Sequence, residues 1–269
     1  MAFVSGATNL VPGDTNGFPD VFVRDRELGT TERVSVSSRG KQANGESDFN
    51  SVAISRHGRF VAFDSYATNL VPHDTNTVCD ADGCFGSDIF VRDRLTGKTE
   101  RVNVSSSSTQ ANGNSYYPSI TGDGRFIAFA SDANNLVPGD TNSTRDAFVR
   151  DRWTRTTERV SVGPRGVQAD RGSNFPSISA DGHFVAFESD ATNLAPHNTN
   201  DFQDIFVRDH VAGTTERVSV SSSGAEGNDA SFTAPAISAA GRFVAFSSYA
   251  TNLVPRDTNG FEDVFVRTR

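Results

Sequence analysis

The chain has 269 residues, a net charge of −8 and a pI near 5.1. An acidic chain repels phosphate backbones, which argues against nucleic acid as a partner. No apolar run approaches the ~18 residues of a membrane-spanning helix, so no membrane span is expected. The composition is skewed, with 21 Phe against one Trp, and such a skew suggests that one short sequence is repeated.

One phrase does recur five times. Its aligned alanines are spaced by 60, 66, 58 and 59 positions and lie at Ala2, Ala62, Ala128, Ala186 and Ala245. The sequence flanking each alanine is also repeated, and together the copies account for the whole chain. We therefore predict a single domain made of units of about 1–48, 49–114, 115–173, 174–231 and 232–269.

Each unit contains four short runs rich in Val, Ile and Phe, bounded by Gly, Asp, Asn and Ser, and such runs predict strands. In order they are strand a (P-S-I-S), strand b (R-F-V-A-F), strand c (V-F-V-R-D) and strand d (E-R-V-S-V). Strand b is apolar almost continuously, which is typical of a strand buried on both faces. No stretch has the 3.6-residue period of a helix.

Repeated four-stranded units with both faces buried predict an all-β fold, a β-propeller of about five blade units. Because the first copy begins inside strand b and the last ends after strand c, 18 strands are expected, with incomplete first and last blades. The chain could be a segment of a larger propeller, a five-bladed ring or a four-bladed ring with a spare hairpin. Unpaired strands in the terminal blades also favour self-association.

The blade phrases S-x-D-G-R-F-V-A-F, D-V-F-V-R-D-R and T-T-E-R-V-S-V resemble the TolB-like β-propeller repeat over the full chain. Two positions depart from that pattern. The usual strand-a Trp is Ile here, as at Ile54, and the Pro before Asp-Gly is replaced, as at Gly122 and Ala180. The resemblance implies a propeller fold, and by analogy a protein partner in a bacterial envelope.

The loops differ in length by type. The a–b and c–d turns are short, whereas the b–c loops (6–20 in the first unit) and d–a loops (37–50) are long. In an up-and-down blade these two long loops open on the same face. Because binding residues concentrate on loops held by a rigid scaffold, we expect function on the b–c/d–a face.

Each b–c loop repeats an acidic pattern, D-T-N-x-x-x-D. Alternating oxygen ligands with a later carboxylate are typical of Ca²⁺ sites, although no cofactor is required by the sequence. The alternative, which we prefer, is Asx-turns that hydrogen-bond their own loop. The candidate calcium ligands are Asp14, Asn16, Asp20, Asp74, Asn76, Asp88, Asp140, Asn142, Asp146, Asp257, Asn259 and Asp263.

Aromatic residues of the d–a loop stand just before the predicted inner strand a, where they would lie near the mouth of a central channel. In that position they could stack on a sugar or grip a peptide; the alternative is that they fill the seam between blades. These candidate binding residues are Phe49, Tyr116, Tyr117, Phe175 and Phe232.

The second b–c loop is eight residues longer than the first and contains the two cysteines of the chain, Cys79 and Cys84. Their spacing in a protruding loop predicts a local disulfide and therefore an oxidising compartment. The first residues are already repeat sequence, so no signal peptide is seen. The expectation is an extracytoplasmic protein, periplasmic or secreted, whose leader is absent from this chain.

No nucleophile elbow, zinc-protease motif, Walker loop or dinucleotide fingerprint is present. We therefore favour a non-enzymatic binding or scaffold propeller that recognises a protein or a glycan through the b–c/d–a face. Two alternatives stay open. One is an enzyme, or an accessory propeller of a polysaccharide-active enzyme, which would need a polar channel cluster that breaks the repeat. The other is a structural or adhesive module stiffened by Ca²⁺.

Overall fold

The computed structural model describes residues 1–49, 51–76, 78–80, 83–196 and 198–269, and for 78–80 and 83–85 it describes the backbone alone. A short 3₁₀-helix lies at Pro164–Gly166, and the remaining elements in these ranges are strands. In chain order the strands are β1 (Ala2–Ser5), β2 (Asp20–Asp25), β3 (Thr30–Arg33), β4 (Val52–Ile54), β5 (Phe60–Ser65), β6 (Val78–Asp80), β7 (Gly83–Phe85), β8 (Asp88–Asp93), β9 (Lys98–Arg101), β10 (Ser115–Ile120), β11 (Phe126–Ser131), β12 (Asp146–Asp151), β13 (Thr156–Arg159), β14 (Ser173–Ile178), β15 (Phe184–Ser189), β16 (Asp204–Asp209), β17 (Thr214–Arg217), β18 (Ser231–Ile237), β19 (Phe243–Ser248) and β20 (Asp263–Thr268).

Eighteen of these strands form five antiparallel sheets, which we call blades 1 to 5. Their strand orders are β1-β2-β3, β4-β5-β8-β9, β10-β11-β12-β13, β14-β15-β16-β17 and β18-β19-β20. The first and last blades have three strands each, and none of the sheets closes on itself. The predicted all-β propeller architecture and the strand count are confirmed. No helix in the described ranges has the length and hydropathy needed to cross a membrane.

The centre of every blade is a phenylalanine pair from strands b and c. Phe63 faces Phe90 in the register of β5 and β8, with ring centroids 5.9 Å apart. The other four blades repeat the pair at 5.8 to 6.0 Å, which accounts for ten of the 21 phenylalanines. These offset rings supply the large apolar area that a four-stranded blade needs.

The hydrophobic cores lie between neighbouring blades. In β5, Val61 and Phe63 pack toward blade 1, whereas Ala62 packs toward blade 3. Four such clusters join the five blades in series. The continuous apolar character of strand b is thus explained, because both of its faces are covered by a neighbour.

Blade 5 leaves one of these faces uncovered. Val264 and Val266 are 75 % and 66 % exposed, whereas the residues at the same positions of blade 2, Ile89 and Val91, are fully buried against blade 3.

An ion pair between blades is repeated four times. The strand-d glutamate of one blade meets a basic residue that follows strand c of the next, as in Glu100 with Arg152 at 2.7 Å. The other three pairs are Glu32–Arg94, Glu158–His210 and Glu216–Arg269. The blade 3–4 contact therefore depends on a histidine where the others use arginine.

Two details differ from the predicted elements. Strand d begins and ends earlier than expected, at Thr30–Arg33 in blade 1, because Thr30 and Thr31 already pair with Asp25 and Arg24, while Ser35 lies beyond the end of the strand. Its hydroxyl accepts a hydrogen bond from the Val21 N–H and donates to Asp20 at 2.5 Å. In addition, part of the long second b–c loop forms the antiparallel hairpin of β6 and β7.

Candidate functional site

The two kinds of long loop meet on one face, as expected from the order of the strands. Asn16 in the b–c loop of blade 1 donates through Nδ2 to the Ala43 carbonyl in the d–a loop, at 3.1 Å. Asn44 of the same d–a loop donates to Thr68 in the b–c loop of blade 2 at 2.9 Å. The loops of successive blades are therefore linked into one polar surface, the b–c/d–a face.

The carboxylates of the b–c loops are joined to an arginine of strand d. Arg33 Nη1 lies 3.0 Å from both Asp14 and Asp20 in blade 1. Asn16 Nδ2 donates to Asp20 at 2.9 Å, while its Oδ1 accepts from the Phe18 N–H at 3.2 Å, which is Asx-turn geometry. A guanidinium thus holds the position between the carboxylates that a cation would need.

The same arrangement is repeated in other blades. Arg101 contacts Asp74 and Asp88 at 3.2 and 3.0 Å, and Arg159 contacts Asp140 and Asp146 at 3.3 and 3.2 Å. The amides of Asn76, Asn142 and Asn259 donate to the strand-c aspartates Asp88, Asp146 and Asp263 of their own loops, at 3.0, 3.2 and 2.8 Å. Among the described side chains, no group of three or more His, Cys, Asp or Glu is placed to hold a metal ion. The geometry favours a structural role for these residues over Ca²⁺ binding.

The inner strands carry a bulge that directs their aromatic residues. Tyr117 in β10 and Phe175 in β14 have φ of 55° and 48°, a region that non-glycine residues rarely adopt. The register of each strand with its neighbour shifts at the same point. As a result, the two rings contact each other between blades, with centroids 4.1 Å apart and ring planes inclined by 30°.

The five predicted aromatic residues have different environments. Tyr117, Phe175 and Phe232 line one cavity of about 680 Å³, together with Glu188, Gln203 and Thr233. We call it the mouth cavity, and it spans blades 3 to 5. Tyr116 instead packs under the Arg145 guanidinium, 4.3 Å from its ring centroid. Phe49 is 60 % exposed and does not line the cavity.

Two buried carboxylates break the repeat, and neither was among the predicted site residues. Asp64 and Glu188 follow the R-F-V-A-F phrase in copies two and four, where the third and fifth copies have Ala130 and Ser247. They are 1 % and 4 % exposed. The sequence does contain a signal for both residues, because a carboxylate alternates with a small residue at this position of the repeat in copies two to five.

Burial raises the pKa of the Glu188 carboxyl to about 7, and the nearby charge of Asp190 adds to the effect. Burial likewise raises the pKa of Asp64 to about 7, with Asp48 contributing in the same direction. Asp64 accepts a hydrogen bond from the Asp48 N–H at 3.3 Å, whereas its Oδ2 has no hydrogen-bond partner among the described residues. Both carboxyls therefore titrate close to neutral pH.

The cysteines lie on the β6–β7 hairpin. Cys79 and Cys84 are directly opposite in its register. The predicted disulfide itself lies outside the side chains that the structure describes.

Comparison with known proteins gives the fold. No family model and no curated protein sequence matches the chain. Among solved structures, TolB from Acinetobacter baumannii matches with a TM-score of 0.50 and 17 % identity, over 99 % of this chain and 51 % of that one. A putative TolB from Agrobacterium tumefaciens matches with a TM-score of 0.53 and 15 % identity, over 93 % and 74 %.

The chain thus has a TolB-like β-propeller fold and spans about half the length of the Acinetobacter protein. The fold also occurs in a structure from a study of two prolyl endopeptidases, with a TM-score of 0.51 and 12 % identity, over 93 % of this chain and 31 % of that one. Because the fold also occurs in a peptidase structure, the fold alone does not distinguish a binding protein from an enzyme.

Proposed function

We propose that this protein is a non-enzymatic binding propeller that receives an extended segment of a partner protein in the mouth cavity. The observation that carries the proposal is the cavity itself, about 680 Å³ and lined by Tyr117, Phe175 and Phe232 from three successive blades. Concave sites with apolar walls and few polar groups are typical of ligand pockets.

The chemistry of the rest of the face supports this assignment. The repeated loop carboxylates are engaged by arginines such as Arg33 and Arg159, so they are tied to the scaffold. The aromatic residues at the cavity, Tyr117, Phe175 and Phe232, are half-buried. Rigid aromatic residues supply contact area at low cost in conformational entropy.

The test is a binding screen on immobilised random peptides and on a glycan array. We expect peptides to be retained by the wild type and lost by Phe175→Ala. The matched control is Phe261→Ala, an exposed phenylalanine (74 %) on the b–c loop of blade 5, which does not line the cavity. Equal peptide binding by Phe175→Ala and wild type, or binding to glycans alone, would overturn the proposal.

One observation favours a second candidate, an enzyme acting on polysaccharide. Glu188 lies in a cavity and has a pKa raised to about 7 by burial, as a general acid requires. Catalysis by a protonated Glu188 would be favoured below that pH. Product release from a polysaccharide panel, lost in Glu188→Gln, would support this candidate; no release by the wild type would exclude it.

We also propose an extracytoplasmic location, supported by the paired positions of Cys79 and Cys84 across the β6–β7 hairpin. Mass spectrometry after alkylation without reductant should find both thiols blocked in the protein isolated from its native host. Full alkylation of both cysteines would contradict the proposal.

A further inference from the structure

Most buried carboxylates in the described part of this protein are paired with arginine. Eight are buried in the described ranges, and the six that have an arginine partner are Asp20, Asp88, Asp93, Asp146, Asp151 and Asp204. Asp64 and Glu188 have no cationic partner among the described residues. Since an uncompensated buried carboxylate is costly, these two positions need a separate explanation.

Only Glu188 of these two lies on the wall of the mouth cavity. Its side chain accepts a hydrogen bond from the Gln203 amide at 3.4 Å. The charge that acts on it is that of another carboxylate, Asp190. The carboxylate is therefore contacted by a neutral donor, and its charge has no counter-ion in the described structure.

The remaining cavity walls suit a cation. Phe175 and Tyr117 pack closely against each other, with ring centroids 4.1 Å apart, and Phe232 packs on Tyr249 at 5.2 Å. An ammonium or guanidinium group is attracted by the face of an aromatic ring. Its attraction to a carboxylate is stronger where water is excluded.

We propose that the mouth cavity binds the cationic side chain of a peptide, lysine or arginine, with Glu188 as its counter-ion and Phe175 and Phe232 as its apolar walls. This inference rests on the proposed peptide-binding function. It adds the class of side chain that the cavity selects, and it explains why a carboxylate replaces the small residues found here in blades 3 and 5, Ala130 and Ser247.

The experiment uses fluorescence anisotropy on the full chain at pH 8, with peptides taken from the screen and blocked at both ends. Each peptide is made with lysine, arginine, Nε-acetyl-lysine or glutamine at the anchoring position. We expect lysine and arginine forms to bind and the two neutral forms to bind about 30-fold more weakly or worse. Glu188→Gln should bind all four forms with similar, weak affinity.

The matched control is Asp64→Asn, which removes the equivalent carboxylate of blade 2 away from the cavity and should retain the preference for charge. Thermal unfolding of each variant checks that it is folded. If binding depends on Phe175 but is equally strong for the lysine and acetyl-lysine peptides, the inferred selection of a cationic side chain is wrong. The proposed peptide-binding function would still stand in that case. If no peptide binds, or binding ignores Phe175→Ala, the proposed function fails and the inference falls with it.

Discussion

Tyr117 and Phe175 belong to neighbouring blades, yet their ring centroids lie 4.1 Å apart, and both residues adopt positive φ. A left-handed conformation costs a non-glycine residue of the order of 1–3 kcal/mol and persists only where surrounding structure enforces it. Here the bulges in β10 and β14 supply that constraint. The result is an aromatic wall at the mouth cavity that joins blades 3 and 4.

The first prediction concerns the coupling of these two rings. Tyr117→Leu and Phe175→Leu should each destabilise the protein, and together by less than the sum of their separate effects. The expected coupling free energy is about 0.5–1.5 kcal/mol, the range for aromatic pairs. Urea unfolding of the wild type, both single variants and the double variant measures it. Strict additivity would show that the contact contributes nothing.

The second prediction concerns the arginine that joins the b–c carboxylates. Arg159→Met leaves the carboxylates of Asp140 and Asp146, whose side chains are 3 % and 1 % exposed, without a counter-ion, and it should destabilise the protein by about 3–5 kcal/mol. Arg39→Met, at an exposed loop position, is the control and should have little effect. Since the guanidinium fills the site, neither Ca²⁺ nor EDTA should move the wild-type Tm. A Tm that rises with Ca²⁺ would instead favour the calcium-stiffened module.

The third prediction follows from Asp64. Its pKa is raised to about 7 in the folded protein by burial, against 3.8 for the ordinary group, so the folded state binds its proton more tightly. The stability that this group contributes is present at low pH and lost as pH rises through about 7. Asp64→Asn should therefore be more stable than the wild type at pH 8, on the order of 2–4 kcal/mol, and similar near pH 4.

Chemical denaturation across this pH range gives the comparison for Asp64→Asn. Glu262→Gln, at an exposed carboxylate, is the control and should leave the pH profile unchanged. A profile for Asp64→Asn that runs parallel to the wild type would contradict the assignment.

The fourth prediction concerns the histidine in the repeated inter-blade pair. The hydrogen bond that His210 Nδ1–H donates to the Glu158 carboxylate raises the pKa of His210 above its usual 6.5 in the folded protein. The stability that protonated His210 contributes is therefore fully present below about pH 6.5. It is lost as the pH rises through the pKa of His210 in the folded protein. His210→Arg, the residue that other blades use, should remove this loss and stabilise the protein at pH 8 by about 0.5–1 kcal/mol.

The matched control for His210→Arg is His183→Arg, at an exposed turn where other copies also have arginine. Differential scanning calorimetry at pH 6 and pH 8 should show a smaller drop in Tm for His210→Arg than for either wild type or control. An equal drop would mean that the Glu158 pair does not depend on histidine protonation.

Most of the fold was readable in the sequence because every blade repeats the same local signals. Strands b and c were predicted close to their observed bounds, since continuous apolar runs between polar turns leave little choice. The predicted end of strand d lies too far along the chain. Ser35 was included in the strand, but it lies beyond the observed end and its hydroxyl bonds to Asp20 and to the Val21 N–H. That bonding depends on a side chain from another strand, which periodicity does not reveal.

The candidate site was predicted less completely. The sequence placed aromatic residues at the mouth but could not separate Tyr117, which lines the cavity, from Tyr116, which packs under Arg145. The difference arises from a bulge of one strand against its neighbour. Glu188 differs from the small residues at its repeat position, but its burial and its missing counter-ion, which the sequence does not show, separate it from the other carboxylates.

Recognition of a cationic side chain by Glu188 is tested most directly by the pH dependence of lysine-peptide binding to the mouth cavity, measured by anisotropy from pH 5.5 to 8.5. The charged groups that act on Glu188 are Asp190 and the lysine of the peptide, and Tyr117 stays neutral in this range because burial raises its pKa. Affinity should rise through about pH 7 as Glu188 ionises, and this rise should be absent in Glu188→Gln. Affinity that falls or stays constant over this range in the wild type would show that Glu188 is not the counter-ion of the bound lysine.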